Sequence, residues 1–159
     1  IRDTQSLIFD LSPPILSLLD LVPALEWLAE KMQEEYGLAI VVTNDGKPKP
    51  LAEDLRVLLF QATKELLVNV IKHARSSTAR ISVCRRNLRI RIRVEDDGIG
   101  MSPTDIESVR GFGLFSIRER LAHMGGTMEI DSKPGATSVL LEAPLSKVRG
   151  MGSTDRTGS

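Results

Sequence analysis

Residues that build common functional sites are scarce in this sequence. The 159 residues include one cysteine and two histidines, which excludes an internal disulfide and a metal site made of several thiolates or imidazoles. Basic and acidic residues both number 21, so the chain lacks the positive excess of a general nucleic-acid binder. No apolar run approaches the roughly 18–20 residues that span a bilayer, and no signal peptide is visible. We therefore expect contact with neither nucleic acid nor membrane.

What remains is ordinary for a globular domain. Hydrophobic residues make up 42% and charged residues 26% of the chain, and the length suits one domain with its own core. The first residue is isoleucine, so we expect a fragment of a longer protein. We expect residues 1–20 to be the stub of a helix that breaks at Pro13 and Pro14, residues 21–145 to be the domain, and residues 146–159 to be a disordered tail.

Hydrophobic periodicity and turn residues predict alternating helices and strands. Together these elements predict an α/β fold, a two-layer sandwich in which a mixed, mostly antiparallel sheet carries helices on one face. The predicted helices are Pro23–Tyr36, about Leu51–Ala74 and about Leu114–Met124, and the predicted strands are Leu38–Thr43, Ala79–Arg85, Leu88–Asp96, Thr127–Ser132 and Thr137–Ala143.

The strand that ends at Asp96 has strict two-residue alternation. Apolar residues at 88, 90, 92 and 94 alternate with Arg89, Arg91, Arg93 and Glu95, which predicts one face on the core and one in water. Asp96 shares the parity of the core face, and a carboxylate that enters a core needs hydrogen-bond donors. The arginines favour a solvated face over a nucleic-acid surface, because no aromatic residues interleave them.

The long central helix carries a polar stripe. Glu65, Asn69 and Lys72 are spaced i, i+4 and i+7, so they fall on one narrow face of a helix that is apolar on nearly every other side. A carboxylate, an amide and an ammonium there must meet partners or a polar cleft. The alternative is a hydrogen-bonded ladder along a surface strip.

Three glycine-containing segments are further candidates. Asp96 to Gly100 allows close backbone approach beside a carboxylate, although a tight turn in which Asp96 caps local amides would look the same. Gly111 to Leu114 precedes a predicted helix, whose terminal amides could hold an anion, although it could also be a flexible loop. Gly135 to Thr137 is a weak signal that is usually a hairpin. Each signal is weak by itself.

In this order and spacing, the segments resemble the motif boxes of the GHKL ATPases, which include gyrase, the heat-shock chaperone ATPase, the MutL proteins and the sensor histidine kinases. Residues 65–74 resemble the N box, 96–101 the G1 box, 111–114 the G2 box and 135–137 the G3 box. The sequences Asn-x-x-Lys-His-Ala and Gly-Phe-Gly-Leu-x-x-Ile-x-Glu-Arg resemble sensor kinases of the nitrate-sensor and degradation-sensor type. The resemblance covers about residues 55–145 and implies a Bergerat fold.

The resemblance also implies ligands and roles. ATP would be bound with Mg²⁺, which Asn69 would hold, and Asp96 would accept from the adenine amino group, helped by Thr137 through water. Lys72 would act in catalysis and, with His73, neutralise phosphate charge. Glu65 matches the water-activating position of the hydrolysing relatives, with a less settled role in kinases. The resemblance assigns the base pocket to Gly98, Gly100 and Met101, and the phosphate-binding loop to Gly111, Phe112, Gly113 and Leu114, beneath a lid at about residues 101–111.

The expected activity is transfer of the ATP γ-phosphate to a histidine outside this chain. No histidine precedes His73, whereas sensor kinases carry the acceptor on a dimerisation segment before the ATP domain. The parent protein is then expected to be a cytoplasmic or membrane-anchored homodimer, with a response regulator downstream. Two alternatives remain open: a nucleotide-gated binding module of the anti-sigma or degenerate-sensor kind, and a gyrase-like ATPase whose turnover would depend on Glu65.

Overall fold

Three α-helices and five strands make up the part of the chain that the structure describes. The structure is a computed structural model that describes residues 20–74, 77–97, 111–133 and 135–146. The predicted N-terminal stub, most of the predicted lid and residues 147–159 lie outside the described residues. The elements are α1 (Leu21–Tyr36), β1 (Ala39–Asn44), α2 (Glu53–Asn69), a π-helical turn (Val70–Ala74), β2 (Thr78–Arg86), β3 (Arg89–Asp96), α3 (Gly111–His123), β4 (Thr127–Lys133) and β5 (Ala136–Pro144).

The strands form one mixed sheet with the order β1-β2-β3-β5-β4. β1 and β2 are parallel, and every other neighbouring pair is antiparallel. Short connections join β2 to β3 and β4 to β5. The first is a hairpin whose turn residues are Asn87 and Leu88, one position later than the predicted strands imply, and Asn87 adopts a positive φ of 58° there. The predicted fold class is confirmed.

One face of the sheet forms the core with the helices. In β3, the side chains of Ile90, Ile92 and Val94 are at most 3% exposed, and the arginines between them are partly exposed. Buried residues of α1, α2 and α3 belong to the same hydrophobic cluster. Each such aliphatic side chain contributes about 1.5–3 kcal/mol when it leaves water. The alternation in the sequence therefore determines which side of β3 faces the helices.

The opposite face of the sheet carries paired charges. The Arg91 guanidinium lies 2.8 Å from a Glu142 carboxylate oxygen, and Arg93 donates to the Ser138 hydroxyl at 3.1 Å. The salt bridge between the partly exposed side chains of Arg91 and Glu142 contributes little to stability. The pairing supports the interpretation of the arginine row as a solvated face.

The connection between β1 and α2 is organised by Asp45. Its carboxylate accepts from the Lys49 ammonium and from the backbone N–H groups of Lys47 and Arg85. The hydrogen bond from the Lys49 side chain is the largest cause that holds the pKa of Asp45 well below its usual range, followed by the two backbone donors. This loop is therefore fixed to β2 by an ionised carboxylate.

The first helix ends where its capping residue predicts, whereas the end of the central helix differs from the prediction. Gly37 ends α1 with φ 72° and donates to the Gln33 carbonyl. The sequence predicts one continuous helix to Ala74, and this is wrong in detail because the α-helix ends at Asn69 and Val70–Ala74 is π-helical. No proline or glycine marks this change. Short π segments are rare and often occur at functional sites.

Two further boundaries differ from the sequence prediction. α3 begins at Gly111, three residues before the predicted start, so the glycine segment forms the first turn of the helix. Ser146, which the sequence assigns to the tail, donates its N–H to the Pro50 carbonyl at 2.8 Å. Among the helices in the described ranges, none combines the length and apolarity that crossing a membrane requires.

Candidate functional site

The carboxylate predicted to enter the core lies at the end of β3. Asp96 is the last residue of the strand, and its side chain is on the buried face with 8% of the residue exposed. Its register partners are Ala79 in β2 and Thr137 in β5. Thr137 is also buried, with 7% exposed. The sheet therefore brings the acid of one motif and the hydroxyl of another to adjacent positions on the same face.

Asn69 supplies the third polar group. It is the last residue of α2 and is 5% exposed. Within the described part of the chain, neither its amide nitrogen nor its amide oxygen has a hydrogen-bond partner. Leaving a buried polar group unsatisfied costs about 1–3 kcal/mol. Such an orphaned amide is the type of group that a ligand or metal would satisfy.

These three polar residues line one cavity. Its volume is about 20 Å³, which suits one water molecule and is too small for a purine ring. The lining residues are Leu66, Asn69, Val70, Val94, Asp96, Thr137 and Val139.

The polar stripe of α2 is split by the change to π-helix. Asn69 is buried, Glu65 is half-buried one turn earlier, and Lys72 is exposed. A π-helix rotates each residue through a smaller angle than an α-helix does, so the i+7 position no longer falls on the same narrow face. Lys72 is thus exposed to solvent.

The second glycine segment lies at a helix N-terminus. Gly111, Phe112 and Gly113 are the first three residues of α3, and Leu114 is buried with 3% exposed. The first N–H groups of a helix have no intrahelical acceptor, and the helix dipole adds partial positive charge there. The buried Leu114 anchors this end of α3 to the core. Backbone amides in this position can hold an anion.

Several predicted site residues cannot be placed. Gly98, Gly100 and Met101 lie outside the described residues, as do the side chains of His73 and of Phe112. Their assignments stay predictions.

Sequence reasoning missed one polar neighbour of the site. The Ser132 hydroxyl in β4 lies 3.1 Å from the Thr137 hydroxyl, and the two residues are register partners. The signal that could have found it is the predicted pairing of the two last strands, because a register that pairs Lys133 with Ala136 also pairs Ser132 with Thr137.

A larger cavity lies elsewhere in the fold, and its lining differs from that of the small cavity. It measures about 600 Å³ and is lined by residues of the α1 N-terminus and of the loop between β1 and α2, including Asp20, Lys47 and Arg56. It contains none of the predicted site residues. We favour the small cavity, because a buried orphaned amide and a buried carboxylate identify a binding site better than volume does.

Comparison with known proteins identifies the family of the chain. Residues 54–147, more than half of the chain, match the family described as histidine kinase-, DNA gyrase B-, and HSP90-like ATPase. The chain belongs to this family. The matched range includes Asn69, Asp96 and Thr137, and the resemblance drawn from the four motifs is confirmed.

Curated relatives place the chain among the sensor kinases of the family. It is 29% identical over 151 residues to the sensor histidine kinase MctS of Rhizobium johnstonii, covering 94% of this chain and 33% of that protein. It is 33% identical over 135 residues to the histidine-protein kinase/phosphatase UhpB of Salmonella typhimurium, covering 84% of this chain and 26% of that protein. The chain thus spans a quarter to a third of the length of these relatives.

A solved structure shows the same fold. The histidine kinase domain of the Erythrobacter litoralis EL346 blue-light activated histidine kinase superposes with a TM-score of 0.65 at 21% identity, covering 80% of this chain and 62% of that one. The described α/β sandwich is therefore the fold of a histidine kinase catalytic domain.

Proposed function

We propose that this chain is the ATP-binding catalytic domain of a sensor histidine kinase and transfers the γ-phosphate of ATP to a histidine on a dimerisation segment outside the chain. Family membership supports nucleotide binding. The names of the curated relatives support the kinase class. The four motifs and the convergence of Asn69, Asp96 and Thr137 on one cavity support the position of the site.

The buried amide of Asn69, which has no hydrogen-bond partner among the residues that the structure describes, is the observation that carries the proposal. An amide retained there at a cost to stability is explained if its oxygen binds a ligand in the working state. Mg²⁺ suits this group, because it takes oxygen ligands and usually keeps several waters with only one or two protein ligands. When bound, Mg²⁺ would neutralise charge on the ATP phosphates. Asn69 is thus the residue that would hold it.

The remaining polar groups divide between the two ends of the nucleotide. At the buried end, Asp96 accepts from the adenine amine, and Thr137 completes the contact to the base. At the exposed end, Lys72 and the amides of Gly111–Gly113 neutralise the phosphates, and His73 joins them. This division suits phosphoryl transfer, in which catalysis is mostly positioning and charge neutralisation.

Glu65 lies one helical turn before Asn69 and is half-buried. We propose that Glu65 orients the attacking group, which in a kinase is the imidazole of the acceptor histidine on the partner segment.

The proposal also concerns the parent protein. The acceptor histidine sits on a segment that pairs two copies, so the parent is a homodimer. The phosphohistidine is then passed to a response regulator, and both steps occur in the cytoplasm, where ATP is available.

The test is a phosphotransfer assay on the chain extended upstream through the dimerisation segment of its parent protein. With Mg²⁺ and ATP labelled in the γ-phosphate, we expect protein-bound phosphate that is labile to acid and stable to alkali. The Asn69→Ala variant should lose it. A protein that binds ATP but never becomes labelled would favour the nucleotide-gated module, and steady phosphate release by the isolated domain that Glu65→Ala abolishes would favour the gyrase-like ATPase.

A further inference from the structure

Thr137 lines the cavity, and its hydroxyl has a hydroxyl partner in β4. Ser132 Oγ and Thr137 Oγ1 are 3.1 Å apart, and the two residues are register partners in the β4–β5 hairpin. Ser132 does not line the cavity, whereas Thr137 does. Any effect of Ser132 on a ligand must therefore act through Thr137.

We propose that Ser132 is a positioning residue that donates a hydrogen bond to Thr137 and so directs the Thr137 proton into the cavity, which favours adenine as the bound base. This inference rests on the proposed function, because it concerns the base end of the same nucleotide site. It adds a residue that the four motifs do not contain.

The number of protons limits how the Ser132–Thr137 pair can be arranged. A hydroxyl donates one hydrogen bond and accepts up to two, so only one member of the pair donates to the other. If Thr137 donated to Ser132, its single proton would point away from the cavity. If Ser132 donates, the Thr137 proton is available on the cavity side.

Asp96 favours the second arrangement. It lies directly opposite Thr137 in the β3–β5 ladder, and a carboxylate only accepts hydrogen bonds. A Thr137 hydroxyl proton that points into the cavity can bond to the Asp96 carboxylate, either directly or through one bridging water, and this orientation is therefore favoured. The cavity volume of about 20 Å³ suits one such bridging water.

The resulting pattern matches the edge of adenine. Adenine presents an amine donor next to a ring nitrogen acceptor, N1. Asp96 satisfies the amine, and the Thr137 proton, relayed through water, satisfies N1. Guanine has the reverse pattern, with an acceptor at O6 and a donor at N1, so it would meet Asp96 with an acceptor and Thr137 with a donor. A site with this polarity rejects the base whose groups are left unpaired.

The experiment compares two nucleotides in several variants by calorimetry with Mg²⁺. One is ATP, and the other is 1-deaza-ATP, in which N1 is replaced by a C–H group. For Ser132→Ala, we expect roughly a 3- to 10-fold loss of affinity for ATP and less than about a twofold change for 1-deaza-ATP, because one net hydrogen bond is at stake. Ser132→Thr keeps the hydroxyl and should retain the ATP affinity.

Two controls separate positioning from a general effect on the strand. Ser132→Val has nearly the shape of Ser132→Thr without the hydroxyl, so comparing these two variants tests the hydroxyl even if the alanine variant is unstable. Ser138 is next to Thr137 but on the open face, where its hydroxyl accepts from Arg93. Ser138→Ala should leave both affinities unchanged.

The outcomes are distinct. Equal losses for both nucleotides, or a Ser132→Val variant that binds ATP as Ser132→Thr does, would overturn the role of Ser132 and leave the proposed function intact. A wild-type protein that binds neither nucleotide would instead refute the proposed function, and the inference with it.

Discussion

Asp96 and Thr137 face each other across the β3–β5 ladder, forty-one positions apart in the chain, with both side chains on the buried side of the sheet. Residues directly opposite in an antiparallel pair have Cβ atoms about 4.5–5.5 Å apart. A carboxylate acceptor and a hydroxyl donor at this spacing can contact neighbouring atoms on one edge of a planar base. The sheet register therefore provides the geometry that the separated motifs only suggest.

Replacing Asp96 by asparagine should weaken ATP binding markedly. The new amide presents a mixed donor and acceptor to an amine that needs an acceptor, and it removes the charge from the hydrogen bond. Hydrogen bonds to charged groups contribute about 1.5–3 kcal/mol, so we expect roughly a 10- to 100-fold loss of affinity in calorimetric titration.

The matched control for this variant is Asp131→Asn. Asp131 is an exposed residue of β4 outside the cavity lining, so its neutralisation should leave ATP binding unchanged. If Asp96→Asn bound ATP as tightly as this control, Asp96 would not be the base-binding acid.

Asn69→Ala should separate ligand binding from stability. Its amide has no partner among the described residues, so removing it relieves a desolvation cost that offsets the lost packing. We expect the free energy of unfolding without nucleotide to stay within about 1 kcal/mol of wild type or to rise. The thermal stabilisation produced by Mg²⁺ with ATP should be lost, because a ligand stabilises only the state that it binds.

This variant also tests the metal assignment. Binding of ATP measured with EDTA should change much less than binding measured with Mg²⁺. A variant that weakens both equally would show that Asn69 contacts the nucleotide itself and not the metal. A large loss of stability without any ligand would show that the amide has a structural partner.

Most of the fold could be predicted from the sequence because its signals are local. The two-residue alternation predicts both the strand and its buried face from Ile90 to Asp96, but it is wrong for Leu88, which lies in the turn before β3 and is 67% exposed. The element boundaries outside the central helix agree to within three residues. Glycines at predicted helix ends behave as expected, with φ of 72° at Gly37 and 83° at Gly125. These features depend on steric preferences of single residues.

The parts of the site that could not be predicted depend on tertiary packing. The π-helical turn after Asn69 has the same apolar composition as the α-helix before it, so no residue type marks the change. The contact between Ser132 and Thr137 depends on the register of a hairpin. The small volume of the cavity depends on how close Leu66 and Val139 approach from two layers, which no local pattern specifies.

Gly126→Ala should destabilise the domain through overpacking. A Cβ at Gly126 would lie 2.5 Å from the Glu142 carbonyl oxygen and 2.8 Å from the Leu121 side chain. Because the carbonyl belongs to the sheet backbone, relief requires β5 to move, which we expect to cost about 1–3 kcal/mol in urea denaturation. Gly125 provides the contrast, since its constraint is a positive φ that asparagine tolerates. Gly125→Asn should therefore cost less than Gly126→Ala, whereas Gly126→Asn should be as harmful as alanine or worse.

Ionisation of the Asp45 carboxylate should make the free energy of unfolding depend on pH. Its pKa in the folded state lies below the unfolded value of 3.8, chiefly because the Lys49 ammonium and two backbone N–H groups donate to it. A group with a lowered folded pKa adds stability above its unfolded pKa, and this is lost as the pH falls through the folded pKa. The wild type should therefore exceed Asp45→Asn in stability at neutral pH, and the difference should shrink steadily below about pH 4.

Urea denaturation of both proteins between pH 7 and pH 2 measures this difference, with Asp131→Asn as the control because its carboxylate is exposed on β4. The control should differ little from wild type at any pH. A gap between wild type and Asp45→Asn that stayed constant down to pH 2 would mean that the variant acts by altering the loop backbone. It would also mean that the charge of Asp45 does not tie the β1–α2 connection to β2.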